Sequence, residues 1–243
     1  MCGRFVSARK RLELLAEFGV RRDNVADEPA PDYNVAPTKQ IYAVLDGRDG
    51  ERELRTVRWG LVPFWAKDPK SGARMINARA ETVAEKPAFR RAFAKRRCIL
   101  PADGYYEWKD KKPFYIIRTD GCALAMAGIY ELWRDAQVPD DHPDAFLWTA
   151  SIITTAATDD VGWIHDRMPM IIEPDLWADW LDPDNTEISQ LHAAMQPALL
   201  GGITSYPVST DVNFVRNNGP ELIKPLPTGD EDWSGTKHRP QAP

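Results

Sequence analysis

The sequence predicts an α+β fold: a single domain with an antiparallel β-sheet curled into a barrel-like core and several helices flanking it. Three observations predict it. Short apolar or alternating stretches, bounded by Gly, Asp and Pro, recur along the chain. Helical stretches are scattered among them. The 243 residues, 43% of them hydrophobic, are enough for one sizeable core, and no repeat or long linker divides them.

The elements follow in order. Ser7 is placed to cap a helix through Leu12, Leu15 and Phe18 that Gly19 stops. Residues 41–45 and 51–59 flank the turn sequence DGRDG and predict a hairpin. Pro87 opens a second helix, in which Phe89 and Phe93 stand one turn apart. Residues 114–118 and 123–133 surround Thr119-Asp120-Gly121 and predict a second hairpin. Residues 146–156 and 168–172 read as buried strands. Two late helices are expected over 173–181, with Pro174 in the first turn, and over 186–200. The core-forming sequence spans residues 2–226. From Pro227 the chain is rich in Pro, Gly and charge and reads as a disordered tail.

Composition narrows the function. With 28% charged residues and nine tryptophans the chain resembles an ordinary globular protein. No stretch of 18 apolar residues is present, and the start lacks the apolar run of a secretory signal, so the expectation is no membrane and a cytoplasmic address. Cys2, Cys98 and Cys122 form an odd set without CxxC spacing, and the four histidines fall in no metal-binding pattern. No metal and no cofactor are expected. The net charge of −5 weighs against a nucleic-acid partner, yet Lys86, Arg90, Arg91, Lys95, Arg96 and Arg97 cluster while acids gather elsewhere. The total excludes only a protein that is basic all over.

The chain begins Met1-Cys2-Gly3. Removal of Met1 would leave a 1,2-aminothiol. An α-amine titrating near ~7.7–8 is partly nucleophilic at neutral pH, and a thiol sits on the neighbouring carbon. The pair suits an aldehyde: the amine gives a Schiff base, and the thiol closes a five-membered thiazolidine. A cysteine at position 2 can equally be an accident of sequence.

Seven segments decide between these readings. MCGRF, YNVAP (33–37), WGLVPFWAKD (59–68), INARAET (76–82), CILPADGYYEWK (98–109), IHDRMPMII (164–172) and VSTDVNFVRNNGPELI (208–223) occur in this order. The pattern closely resembles the SRAP (SOS response-associated peptidase) family over roughly residues 2–226. The resemblance implies a monomeric shield, nucleoid-associated in a bacterium, that crosslinks covalently to abasic sites in single-stranded DNA, with self-cleavage of Met1 and lyase- or peptidase-like thiol chemistry. It implies Cys2 as nucleophile, Asn77 as the group orienting the intermediate, and Glu107 and His165 as proton carriers.

Each residue type suits its implied task. Glu107 lies between aromatics that would exclude water, so a protonated carboxyl there could open the sugar ring. A neutral His165 imidazole could exchange protons with the amine or the C1′ hydroxyl. Asn77 both donates and accepts hydrogen bonds. For DNA, Arg79 and Arg167 are candidate phosphate forks, Trp65 a wedge stacking on a base, and Arg4 a neighbour of the nucleophile. Asn34 and Pro37 are expected on the pocket floor, and Thr154 or Thr155 at a phosphate. Bland alternatives are a solvated Glu107, a structural His165, a capping Asn77 and a core Trp65. Cys98 and Cys122 read as core thiols. Three rival functions remain: an N-terminal-nucleophile amidotransferase, a cysteine peptidase using Cys2, His165 and Glu107, and a non-covalent single-strand binding module.

Overall fold

The computed structural model describes residues 2–47, 50–142, 145–185 and 202–227. In chain order these form β1 (Phe5–Ser7), α1 (Arg11–Glu17), β2 (Arg22–Asp23), β3 (Asp32–Val35), β4 (Gln40–Asp46), β5 (Arg52–Trp59) and β6 (Asn77–Arg79). There follow α2 (Arg90–Lys95), β7 (Arg97–Ala102), β8 (Gly104–Lys109), β9 (Lys112–Arg118), β10 (Leu124–Arg134), β11 (Phe146–Ala156), α3 (Asp159–Gly162), β12 (Arg167–Pro169), α4 (Trp177–Leu181) and β13 (Ile203–Pro207). The late helix expected at 186–200, and all but the first residue of the tail, lie outside the described residues.

The α+β architecture is as the sequence predicts. β4, β5, β7, β10 and β11 pair in a ring, which β11 closes by a parallel contact with β5 at Thr149–Arg58 and Ala150–Trp59. Closure removes free edges from these strands. A second, antiparallel sheet in the order β13-β9-β8-β1-β3 packs against the ring. Short β6 runs parallel to β11, aligning Asn77 with Ile152 and Arg79 with Thr154. Alternation along β6 turns Ala78 inward, 1% exposed, and leaves Arg79 outside. Between the sheets Phe5, Trp59, Tyr105, Phe114, Ile152 and Met168 form one apolar cluster, and Cys2 belongs to it. Phe5 and Trp59 meet edge to face at 5.0 Å.

Three expectations need correction. Ser7 ends β1 instead of capping a helix; α1 starts at Arg11, after Lys10, because Phe5 and Ser7 pair with β3. Gly19 does stop the helix region, with φ +60. The second helix begins at Arg90 rather than Pro87, since the chain from 80 to 89 is spent on turns. Residues 114–118 and 123–133 do not pair with each other: β9 pairs with β8 and β13, whereas β10 belongs to the ring. The true partner of β9 is β8, through a tight turn in which Asp110 and Lys111 both have positive φ. Such turns usually carry Asn-Gly or Gly-Gly, so a lysine there gives no signal.

Gly60 follows β5 with φ +122, and a Cβ there would lie 2.6 Å from the Gly72 carbonyl oxygen. Both the conformation and the space therefore require glycine. Gly60→Ala should destabilise the protein by at least about 2 kcal/mol, lowering the melting temperature by roughly 5 °C or more. An unchanged melting curve would show that the two backbone segments are not locked together as described.

Candidate active site

Cys2 lies three residues ahead of the β1–β8 ladder, which pairs Phe5 with Tyr105 and Val6 with Gly104. The Tyr106 amide extends that ladder by donating to the Arg4 carbonyl at 2.9 Å. This pairing brings the start of the chain beside Glu107, since Tyr105 and Glu107 share one face of β8. Cys2 is 0% and Glu107 6% exposed. Burial, and secondarily the negative charge of Glu107, push the Cys2 thiol up, so it stays protonated at neutral pH. The Tyr105 phenol is also pushed up, by burial first and then by Cys2 and Glu107, which places all three groups in one electrostatic neighbourhood.

Asn77 approaches from β6. Its Nδ2 donates to the Cys2 carbonyl at 2.8 Å. Its Oδ1 is buried and has no hydrogen-bond partner among the described residues. A buried acceptor left without a donor costs about 1–3 kcal/mol, so this oxygen marks a place where a donor is expected to arrive.

His165 lies in the loop between α3 and β12, half-buried, with Nδ1 accepting the Arg167 amide at 3.0 Å. The Asp166 carboxylate is 2.9 Å from the same nitrogen but is 86% exposed and can turn away. Phe114, opposite Glu107 on β9, meets the edge of Trp163 at 5.0 Å, and Lys109 lies 4.8 Å above that ring. Trp163, 43% exposed, thus helps wall the site near Glu107.

The expected DNA residues fall into two groups. Arg79 and Trp65 are exposed, Trp65 by 55%. Beside Trp65, Phe64 carries the Arg91 guanidinium 4.2 Å above its ring, joining this loop to α2. Arg167 is reachable, but its two terminal nitrogens are already held by the Glu81 carboxylate. The remaining residues face inward. Asn34 is fully buried, its Nδ2 donating to the carbonyls of Val212, Phe214 and Asn217 and its Oδ1 accepting from Arg4 at 2.6 Å. It has no face open to a DNA strand, which corrects its expected DNA contact; it fastens the 212–217 loop under the chain start. Arg4 also donates to Val212 at 2.9 Å and is part of the same fastening. Half-buried Pro37 turns the chain after β3. Neither Thr154, 0% exposed, nor Thr155, 7% exposed, meets solvent freely; Thr154 lies under Arg167 and accepts from it. In this structure Thr154 supports the arginine.

The basic run is also divided by the fold. Arg97 is buried and Arg96 is paired with Glu131 at 2.7 Å, so only Lys86, Arg90, Arg91 and Lys95 face outward. No group of three or more potential metal-ligating side chains exists among the described residues, and no helix among them is long and apolar enough to cross a membrane.

Comparison with known proteins bears on this arrangement. Residues 1–215 match the family profile described as SOS response associated peptidase (SRAP). This chain belongs to the SRAP family. Among SRAP relatives, it is 41% identical over 229 residues to "Abasic site processing protein YoqW" of Bacillus subtilis, covering 92% of this chain and 99% of that protein. It is 38% identical over 237 residues to "Abasic site processing protein YedK" of Escherichia coli, with 93% and 100% covered. With "Abasic site processing protein HMCES" of Xenopus tropicalis identity is 32% over 235 residues, 83% of this chain and 68% of that protein. A crystal structure of a protein from Bacteroides thetaiotaomicron superposes with a TM-score of 0.80 at 26% identity, over 93% of this chain and all of that one.

The SRAP motifs of β1, β6 and β8 thus meet at Cys2, and Ile164 of the 163–167 loop belongs to the same apolar cluster. Sequence reasoning missed Glu81, Tyr105 and Trp163 at the site. Glu81 was within reach of a sequence argument, because Asn77, Arg79 and Glu81 alternate as residues on one strand face do.

Proposed function

We propose that this protein processes abasic sites in single-stranded DNA by capturing them covalently through Cys2 once Met1 is removed. The observation that carries the proposal is the Asn77 amide, with its donor on the Cys2 carbonyl and its buried acceptor unpaired beside the chain start. The names of the relatives support the substrate class.

With Met1 attached, the Cys2 nitrogen is an amide and cannot attack. Hydrolysis of the Met1–Cys2 bond frees an amine, whose N–H can satisfy Asn77 Oδ1. The ring-opened sugar presents its C1′ aldehyde, and the amine adds to it. Loss of water, with a proton supplied to the leaving hydroxyl, leaves an iminium. The thiol sulfur then bonds to the same carbon, and its proton passes to a nearby base. We assign the movement of these protons to Glu107, which acts electrostatically on the thiol, and to His165. Because burial keeps the thiol protonated, nitrogen acts first and sulfur second.

The same protonated thiol weighs against a cysteine peptidase acting on other substrates, which needs a thiolate in electropositive surroundings. Here burial and the Glu107 carboxylate act in the opposite direction.

Incubation with a natural abasic oligonucleotide, followed by intact mass spectrometry, tests the proposal. The expected mass is that of the chain without Met1 plus one strand less one water. Retention of Met1 on a chain that nonetheless forms the adduct, or loss of Met1 with no adduct, would overturn it.

A further inference from the structure

Arg79 on β6 and Arg167 on β12 both lie along β11, and Arg167 is not free. Its terminal nitrogens lie against the two Glu81 oxygens, at 2.5 Å for Nη1–Oε1 and 3.0 Å for Nη2–Oε2. That is the parallel fork a phosphate would adopt on the same guanidinium. We propose that Glu81 competes with the DNA backbone for Arg167 and thereby sets how tightly the protein holds any single strand. The inference rests on the DNA-binding part of the function proposed above and adds a residue that determines affinity.

The two partners are not equally fixed. The Arg167 side chain is 13% exposed and is held from behind, where Nη2 donates to the Thr154 carbonyl at 2.6 Å and lies 3.4 Å from its hydroxyl. Glu81 is 52% exposed and follows β6 where the chain enters a turn. A strand arriving from solvent therefore displaces the glutamate and finds the guanidinium already oriented. Glu81 is held charged, first by its bond to Arg167, with Arg79 adding its field. One carboxylate thus offsets part of the charge of both arginines.

An exposed ion pair is weak, so this one taxes phosphate binding without blocking it. The consequence is selectivity. Phosphates carry no information about a missing base, so weakening their hold lowers residence on intact strands. Covalent capture retains the damaged ones.

The test uses fluorescence anisotropy with a single-stranded oligonucleotide carrying tetrahydrofuran, an abasic analogue without an aldehyde, so that no covalent bond forms. Glu81→Gln should bind about fivefold more tightly than wild type. Its log–log salt dependence should steepen by about one phosphate contact. On an Arg167→Ala background the same substitution should change affinity less than about twofold, because the two effects share one contact. Glu85→Gln, an exposed acid in the same segment with no bond to Arg167, serves as the control and should also change little. Unchanged or weaker binding by Glu81→Gln would overturn the proposal. So would an equal gain with and without Arg167, which would mean simple long-range charge. Crosslinking of a natural abasic strand, measured in parallel, separates the two readings. Capture with an inert Glu81→Gln sinks only the competitor; a clear Glu81→Gln gain without capture sinks only the covalent chemistry.

Discussion

Cys2→Ala should leave no adduct with abasic DNA that survives heating in detergent, a loss of about 100-fold or more in yield. The substitution keeps a small second residue, so Met1 can still be removed, and it keeps the α-amine. A Schiff base therefore still forms and should be trapped by borohydride, but without the sulfur it hydrolyses. The size of the effect comes from ring closure, since the thiol attacks a carbon already tethered four bonds away, across a five-membered ring, and no external thiol matches that proximity. Neither remaining cysteine substitutes. Cys98 is buried and its thiol is pushed up by burial, whereas Cys122, expected in the core, is exposed in the turn after Gly121 and has no α-amine beside it. The void left by the fully buried sulfur should cost about 1 kcal/mol, which a melting curve will separate from the chemical loss. A protein carrying an N-terminal tag ahead of Cys2 should fail more completely, forming neither the stable adduct nor the borohydride product. A tagged protein with full yield would exclude the amine as the attacking group.

Much of this site was legible in the sequence because its residues are carried in contiguous motifs: Asn77 and Arg79 in one, Glu107 in another, His165 and Arg167 in a third. Their convergence was not legible. β1 has three residues, too few for any periodicity, and its pairing with β8 decides that Cys2 meets Glu107. The misplaced hairpin has the same origin: Asp110-Lys111 makes a turn whose residues give no turn signal, while Asp120-Gly121 gives a strong one between strands of different sheets. Polar side chains were the hardest to place. A sequence displays Asn34 and Thr154 as hydrogen-bonding groups but does not display whether their partners are backbone carbonyls or a ligand. The Asn34 amide turned out to be satisfied by backbone carbonyls and Arg4, and the Thr154 hydroxyl to face the Ala78 carbonyl at 3.5 Å.

Arg97 carries that last point to its largest consequence. It belongs to a run of basic residues that suggests a DNA-binding face, yet its side chain is 2% exposed and donates to five carbonyl oxygens. Phe93 and Ala94 belong to the last turns of α2, Trp180 to the end of α4, and Asp182 and Asn185 to the chain just beyond it. Helix ends leave carbonyls without intrahelical partners, and one guanidinium satisfies those of two helices at once. Its own charge is supported by those carbonyls and dipoles and by the nearby Asp182 carboxylate, against the cost of burial. Arg97→Met would fill most of the volume but strand the carbonyls, at a cost of about 3–5 kcal/mol. For a protein of this size that is a fall of roughly 10 °C in melting temperature. Arg97→Lys, with three donors on a point charge, should recover only part of it. Arg90→Ala, by contrast, removes an exposed side chain and should shift stability by less than about 0.5 kcal/mol. If Arg97→Met melts like wild type but loses salt-dependent binding to single-stranded DNA, the side chain faces the nucleic acid after all, and the packing of α2 against α4 described here is wrong.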